Sequence, residues 1–150
     1  MASQSNHAVV ENLGRFLADT YTLYLKTQNY HWNVTGPNFA QLHTLFEGQY
    51  TDLAAASDEV AERIRALGEK APGSFTAFAK LAKVKEENGN PDFKTMIKNL
   101  AQDNQTAAET AEALIKSAQE IGDEGTADLG IRRVQVHQKN IWMLKAHLEQ

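Results

Sequence analysis

The sequence predicts an all-α protein: four long helices in a bundle, with one long crossover between the second and the third. Three observations carry this. Apolar residues recur at steps of three, four and seven along four stretches, the period of an amphipathic helix. Proline is scarce, with only Pro37, Pro72 and Pro91 in 150 residues, which suits long helices better than many short strands. The connector over residues 69–91 is far longer than two neighbouring antiparallel helices need.

The first helix is predicted from Asn6 to Asn33, with the stripe Val9, Leu13, Phe16, Leu17, Thr20, Leu23, Tyr24 and Tyr30. It stops at Val34-Thr35-Gly36-Pro37. The second starts with Asn38 as N-cap and Gln41 three residues on, a capping-box pattern. Its stripe is Phe39, Leu42, Phe46, Leu53, Val60, Ile64 and Leu67, closing at Gly68. Within the connector, Phe75, Phe78 and Leu81 predict a short helix of about two turns. Asn90-Pro91 predicts the next start, with Asn at N-cap and Pro at the first helical position. That helix carries Phe93, Met96, Ile97, Leu100, Ala107, Ala111, Leu114, Ile115, Ala118 and Ile121. After Gly122-Asp123-Glu124-Gly125 the last long helix buries Leu129, Val134, His137, Ile141, Leu144 and Leu148. A helix of about 25 residues is about 38 Å long, and the connector can cross the bundle from end to end. One such crossover is the ferritin-like version of the four-helix bundle, and residues 1–150 are expected to form one domain.

Composition narrows the function. A net charge of −4 gives no overall attraction to nucleic acid or acidic membranes. Without cysteine there is no disulfide, no thiolate ligand and no cysteine nucleophile. The N-terminal MASQSNHAVV lacks a basic stretch followed by an apolar one, and no apolar run approaches ~18 residues. The expectation is a cytoplasmic protein with no membrane partner, whose sequons at Asn33 and Asn104 are chance matches.

Chemistry concentrates between Lys26 and Gly68, which holds His31, His43, Glu47, Asp58 and Glu62. Unrolled at about 100° per residue with Phe46 at zero, the core stripe of the second helix lies between roughly −60° and +20°. On that wheel His43, Glu47, Asp58 and Glu62 fall between roughly 60° and 160°, a second stripe beside the core. His43 and Asp58 are about 22 Å apart along a straight helix, while metal–ligand bonds are near 2 Å. One ion cannot take both from one chain. Two copies crossing antiparallel near Thr51 would set His43 of one beside Asp58 and Glu62 of the other, and Thr51, Ala54 and Ala55 are small enough for close approach. A twofold dimer would then carry two sites between subunits.

Two imidazoles with carboxylates suit a borderline divalent ion such as Fe(II) and leave positions open for an oxidant. A closed zinc site would more often use Cys, and a calcium site would be all oxygen. No Glu-x-x-His occurs in the chain, so a di-iron site inside one bundle is not expected. Read singly, Glu47 and Glu62 are solvated helix charges, Arg63 and Arg65 could answer the acidic pair Asp58 and Glu62, and His137 is a buried structural histidine. His7 and His147, near the termini, have no partner pattern. Only the combination points to a metal.

The segments NYHWNVTGPNF, LHTLFEGQY and SDEVAERIRALG, in this order and spacing, resemble the Dps family of miniferritins, DNA-binding proteins from starved cells. The likeness extends across nearly the whole chain. It implies a hollow dodecameric shell of four-helix subunits, with a short extra helix in the connector. It also implies ferroxidase activity between twofold-related subunits, hydrogen peroxide as preferred oxidant, and storage of ferric mineral that protects against oxidative damage. The resemblance assigns the iron ligands to His31 and His43 of one subunit and Asp58 and Glu62 of its neighbour. Glu47 becomes a second-site or nucleation ligand, its arm one methylene longer than the Asp also found there. Trp32 becomes the aromatic that donates an electron and limits radical escape. Asp123 and Asp128 resemble acids lining the threefold pores that admit Fe(II).

The alternative function is to bind and protect the nucleoid. Members that do so often use Lys/Arg-rich tails. Here the first basic residue is Arg15, inside the first helix, and the sequence closes on HLEQ. DNA binding is therefore expected to be weak or absent.

Overall fold

The computed structural model describes residues 6–149. Its helices are α1 (His7–Asn33), α2 (Phe39–Ala66), α3 (Phe75–Leu81), α4 (Phe93–Glu120) and α5 (Glu124–Ala146). Helix α1 pairs with α2 and α4 with α5; the two hairpins meet chiefly through α1 and α4, while α2 and α5 barely touch. The connector carrying α3 crosses the bundle, giving the all-α ferritin-like architecture.

Two apolar clusters fill the interior. Phe16, Leu17, Val60, Ile64, Leu114 and Leu129 pack in one, and Leu23, Tyr30, Phe46, Leu53, Ile97 and Leu144 in the other. His137 is fully buried, with its ring edge-on to Phe16. Its Nδ1 donates to the Asn104 side-chain oxygen at 2.8 Å, and the Asn140 amide donates to that oxygen as well. Burial, aided by the Arg133 charge and opposed by Asp52, lowers the His137 pKa to about 3.

The ends of the helices follow their chemistry. Gly68 (φ 97°) lets the Gly68 N–H reach the Arg65 carbonyl and the Glu69 N–H reach that of Ile64, a Schellman close. Gly122 (φ 72°) repeats the motif at the end of α4, and Asp123 immediately caps α5. Two predicted starts differ. Asn38 occupies the N-cap of α2 but makes no side-chain cap bond, so the capping box does not form. Helix α4 begins at Phe93 rather than Pro91, because the Asp92 carboxylate accepts from the Thr95 N–H and takes the cap two residues later than Asn90. Phe39 and Ile121, placed on core stripes by periodicity, are exposed at their helix ends.

Buried polar side chains of α1 hold the crossover down. The Asp19 carboxylate accepts from the Lys83 and Val84 backbone N–H groups and from the Thr110 hydroxyl. Lys26 donates to the Lys85 carbonyl and pairs with Asp103, each at 2.8 Å. Burial pushes the Asp103 carboxyl up, with Lys26 opposing. Tyr30 donates to Glu87 at the far end of the strap. None of the described helices is long and apolar enough to cross a membrane.

Candidate metal centre

The turn between α1 and α2 places one histidine against the other. Gly36 has φ 112°, and a Cβ there would stand 3.2 Å from the Phe93 ring, so both backbone angle and space call for glycine. The turn returns α2 antiparallel to α1 and sets His31, near the end of α1, beside His43, in the first turns of α2.

Their geometry is reciprocal. His31 Nδ1 bonds the His43 carbonyl at 2.7 Å, and His43 Nδ1 bonds the His31 carbonyl at 2.8 Å. A carbonyl only accepts, so both hydrogens sit on Nδ1 and both Nε2 lone pairs are free. The rings stack with centroids 3.8 Å apart, Phe39 stacks on His43, and Tyr50 stands edge-on to His31. Such backbone acceptors fix the tautomer and orientation of a metal-binding histidine.

The third donor is Glu47, one turn beyond His43. Its Oε1 lies 3.8 Å from His31 Nε2, and one donor atom each from His31, His43 and Glu47 all lie within 4.8 Å of one another. Donors about 2 Å from a common ion lie at most about 4 Å apart, so a small inward turn of these side chains would bring all three onto one ion. Two lone-pair donors facing each other at that separation leave room for a cation. The extra methylene of Glu47 therefore reaches the pair, and Glu47 belongs with the histidines more closely than its sequence position suggests.

Asp58 and Glu62 are not brought to the histidines within the chain. They are exposed and line an open groove of about 410 Å³ with Glu59, Arg63, Gly125 and Arg132. The arginines are turned elsewhere. Arg63 donates to Asp123 and Thr126, Arg65 to the Glu69 carbonyl, and Arg132 to Glu59 and Asp128. Among the described residues no cation pairs with Asp58 or Glu62. Trp32 follows His31 in sequence but is 61% exposed at the end of α1.

The two acids expected to be pore residues are committed to local structure. Asp123 accepts from the Thr126 N–H and hydroxyl as the cap of α5 and pairs with Arg63 at 2.9 Å. Burial raises its pKa, but the Thr126 bonds and Arg63 outweigh that and hold it below the ordinary range. Asp128 is exposed but paired with Arg132. Sequence reasoning also missed Tyr50, which lies seven residues beyond His43 on the same helical stripe.

Comparison with known proteins agrees with the architecture. Residues 10–150 match the ferritin-like domain of the Ferritin family. A DNA protection during starvation protein of Porphyromonas gingivalis is 39% identical over 139 residues, 93% of this chain and 87% of that protein. The crystal structure of Dps from Thermosynechococcus elongatus superposes with TM-score 0.94 at 34% identity, covering 99% of this chain and 96% of that one. That of Vibrio cholerae Dps, described as a member of a broad superfamily of ferritin-like diiron-carboxylate proteins, superposes at 0.93 with 32% identity, covering 99% and 98%. With its long crossover, its extra helix and these relatives, the chain belongs to the Dps family of miniferritins.

Proposed function

We propose that this protein oxidises Fe(II) at sites shared between twofold-related subunits and stores the ferric product inside a closed shell of twelve. His31, His43 and Glu47 of one subunit and Asp58 and Glu62 of its neighbour hold the ion, which is substrate rather than resident cofactor. The observation that carries this is the reciprocal histidine–carbonyl pairing, which leaves both Nε2 atoms free beside the Glu47 carboxylate. A second supports it: the acidic pair Asp58 and Glu62, at i, i+4, is left without a cation although three arginines stand close by on the same face or groove.

The donor set fits iron in both oxidation states. Imidazole nitrogens suit the borderline divalent ion, and carboxylates favour the trivalent product. The oxidant is hydrogen peroxide: two Fe(II) each give one electron, the O–O bond breaks, two protons are taken up, and two waters form. Consuming both oxidising equivalents avoids free hydroxyl radical, and Trp32 at the edge of the site would quench what escapes. Ferric absorbance after anaerobic Fe(II) loading and peroxide addition tests the reading. The His31→Ala variant should lose the rapid phase, and oxidation at the parent rate would overturn the assignment.

Protection of DNA by coating it is the second reading, favoured by the names of the relatives. The net charge of −4 opposes it. Weak or absent DNA binding is expected at neutral pH without divalent ions. Tight retention in a low-salt gel shift would reverse that expectation.

A further inference from the structure

The rings along the groove between α1 and α2 continue beyond the histidine pair. Tyr50 stands 5.1 Å from His31 between ring centroids, Tyr24 lies 6.0 Å from Tyr50, and Tyr21 lies 5.4 Å from Tyr24. Tyr21 then meets Phe78 of α3 at 5.1 Å. Helical spacing builds this file. Tyr21, Tyr24 and His31 follow one another at steps of three and seven on α1, and His43 and Tyr50 are seven apart on α2. All three tyrosines are half-buried, so their rings are held in place while their phenols can exchange protons with water. Tyr21 also lines a cavity of about 420 Å³ whose wall includes Asp58. On a single chain, the file thus starts at the histidine half-site and ends at a cavity that Asp58 of the acidic half-site also lines.

Each phenol adds what phenylalanine would lack, a redox-active ring with an exchangeable proton. We propose that Tyr50, Tyr24 and Tyr21 form an electron relay between the two half-sites of each chain, through which the two sites of a twofold dimer share one hydrogen peroxide. The proposal rests on the ferroxidase reading above. At the first site Fe(II) gives one electron, and Tyr50 gives a second together with its phenolic proton. With one further proton from solvent, the O–O bond breaks and two waters form, leaving Fe(III) and a tyrosyl radical. Tyr24 and then Tyr21 each pass an electron and a proton back along the file. Fe(II) held at the Asp58 end supplies the last electron, and water supplies the proton that restores the phenol. Each peroxide thus oxidises two Fe(II), although each site holds one.

Freeze-quench EPR of the assembled protein, loaded anaerobically with Fe(II) and mixed with peroxide, tests this. Below one Fe(II) per dimer the radical meets no second ion, and a tyrosyl signal should persist. At two per dimer it should vanish while a hydroxyl-radical spin trap stays empty. Tyr50→Phe should lose the tyrosyl signal, fill the trap, and lower the Fe(III) formed per peroxide. Tyr24→Phe should strand the radical on Tyr50 and slow its decay at full loading. The relay is overturned if Fe(II) is oxidised with no tyrosyl signal at low loading, or if Tyr50→Phe leaves the signal unchanged. It is also overturned if the only radical is an indolyl one lost in Trp32→Phe. Failure of the parent to oxidise Fe(II) at all, read from ferric absorbance, would remove the ferroxidase reading itself.

Discussion

The two ends of the outer stripe of α2 carry the same kind of chemistry in opposite states of preparation. At the His43 end, the chain fixes its own donors. Two histidines bond each other's backbone, stack between Phe39 and Tyr50, and hold Glu47 in reach, with His31 only 6% exposed. At the Asp58 end, two carboxylates stand in an open groove, and nearby arginines are engaged with other groups. Preorganisation within one chain comes from backbone acceptors and ring packing, which need no second molecule. The acidic end has neither. Under the proposed function, the histidine end of a second copy completes it.

The largest expected effect tests that complementarity directly. His31→Ala and Asp58→Ala should each abolish rapid Fe(II) oxidation with peroxide. Unfolded, mixed in equal amounts and reassembled, the two variants should recover about a quarter of the parent activity. Half the random dimers are mixed, and one of their two sites then joins an intact histidine end to an intact acidic end. Ferric absorbance reads the result. No recovery in assembled mixed shells would place both ligand sets in one chain's site and break the comparison.

Much of this contrast was legible in sequence because it depends on spacing. The apolar period gave the four long helices, and fifteen residues between His43 and Asp58 already separated the two ends. What spacing could not give was the direction of individual polar contacts. Asp92 outcompetes Asn90 as a cap because its carboxylate meets the Thr95 N–H, a local geometry that composition does not rank. Arg63 lies next to Glu62 in sequence but turns to Asp123, since the α4–α5 turn brings that carboxylate across the bundle. Asp19 and Lys26 are buried because the crossover lies over them, a long-range contact that helical spacing does not show. The tyrosine file was invisible because its members come from two helices whose register only the fold sets.

Acid limits the range over which the ends can be compared. Buried neutral His137 has its pKa lowered to about 3, against an ordinary value near 6.5. Between these values the unfolded chain binds a proton that the folded chain does not. The stability contributed by the neutral histidine is therefore complete above about pH 6.5 and is lost toward pH 3, at about 1.4 kcal/mol per pH unit. Urea unfolding at pH 7 and pH 4.5 should show this slope in the parent and lose it in His137→Gln. An identical slope in both would mean that His137 is not the titrating group. Ligand variants are best compared at neutral pH.

Gly36→Ala should damage the histidine end alone. The positive φ strains any L side chain, and the new methyl must displace the Phe93 ring at 3.2 Å. The expected cost is about 1–3 kcal/mol in urea unfolding, with slower Fe(II) oxidation as the His31–His43 pairing loosens. An unchanged rate with reduced stability would show that the pair is held by its rings rather than by the turn.

The smallest effect should have the opposite sign. Asp58 and Glu62 repel across one helical turn with no cation between them, so Glu62→Gln should raise the stability of the iron-free protein by a few tenths of a kcal/mol while slowing Fe(II) oxidation. His31→Ala, by contrast, removes a buried ring and a hydrogen bond, and should lower stability as well as activity. Thermal unfolding of the two iron-free variants beside the parent distinguishes the ends. Equal losses in both would mean that the acidic end is already satisfied within the chain, and the case for a second copy would weaken.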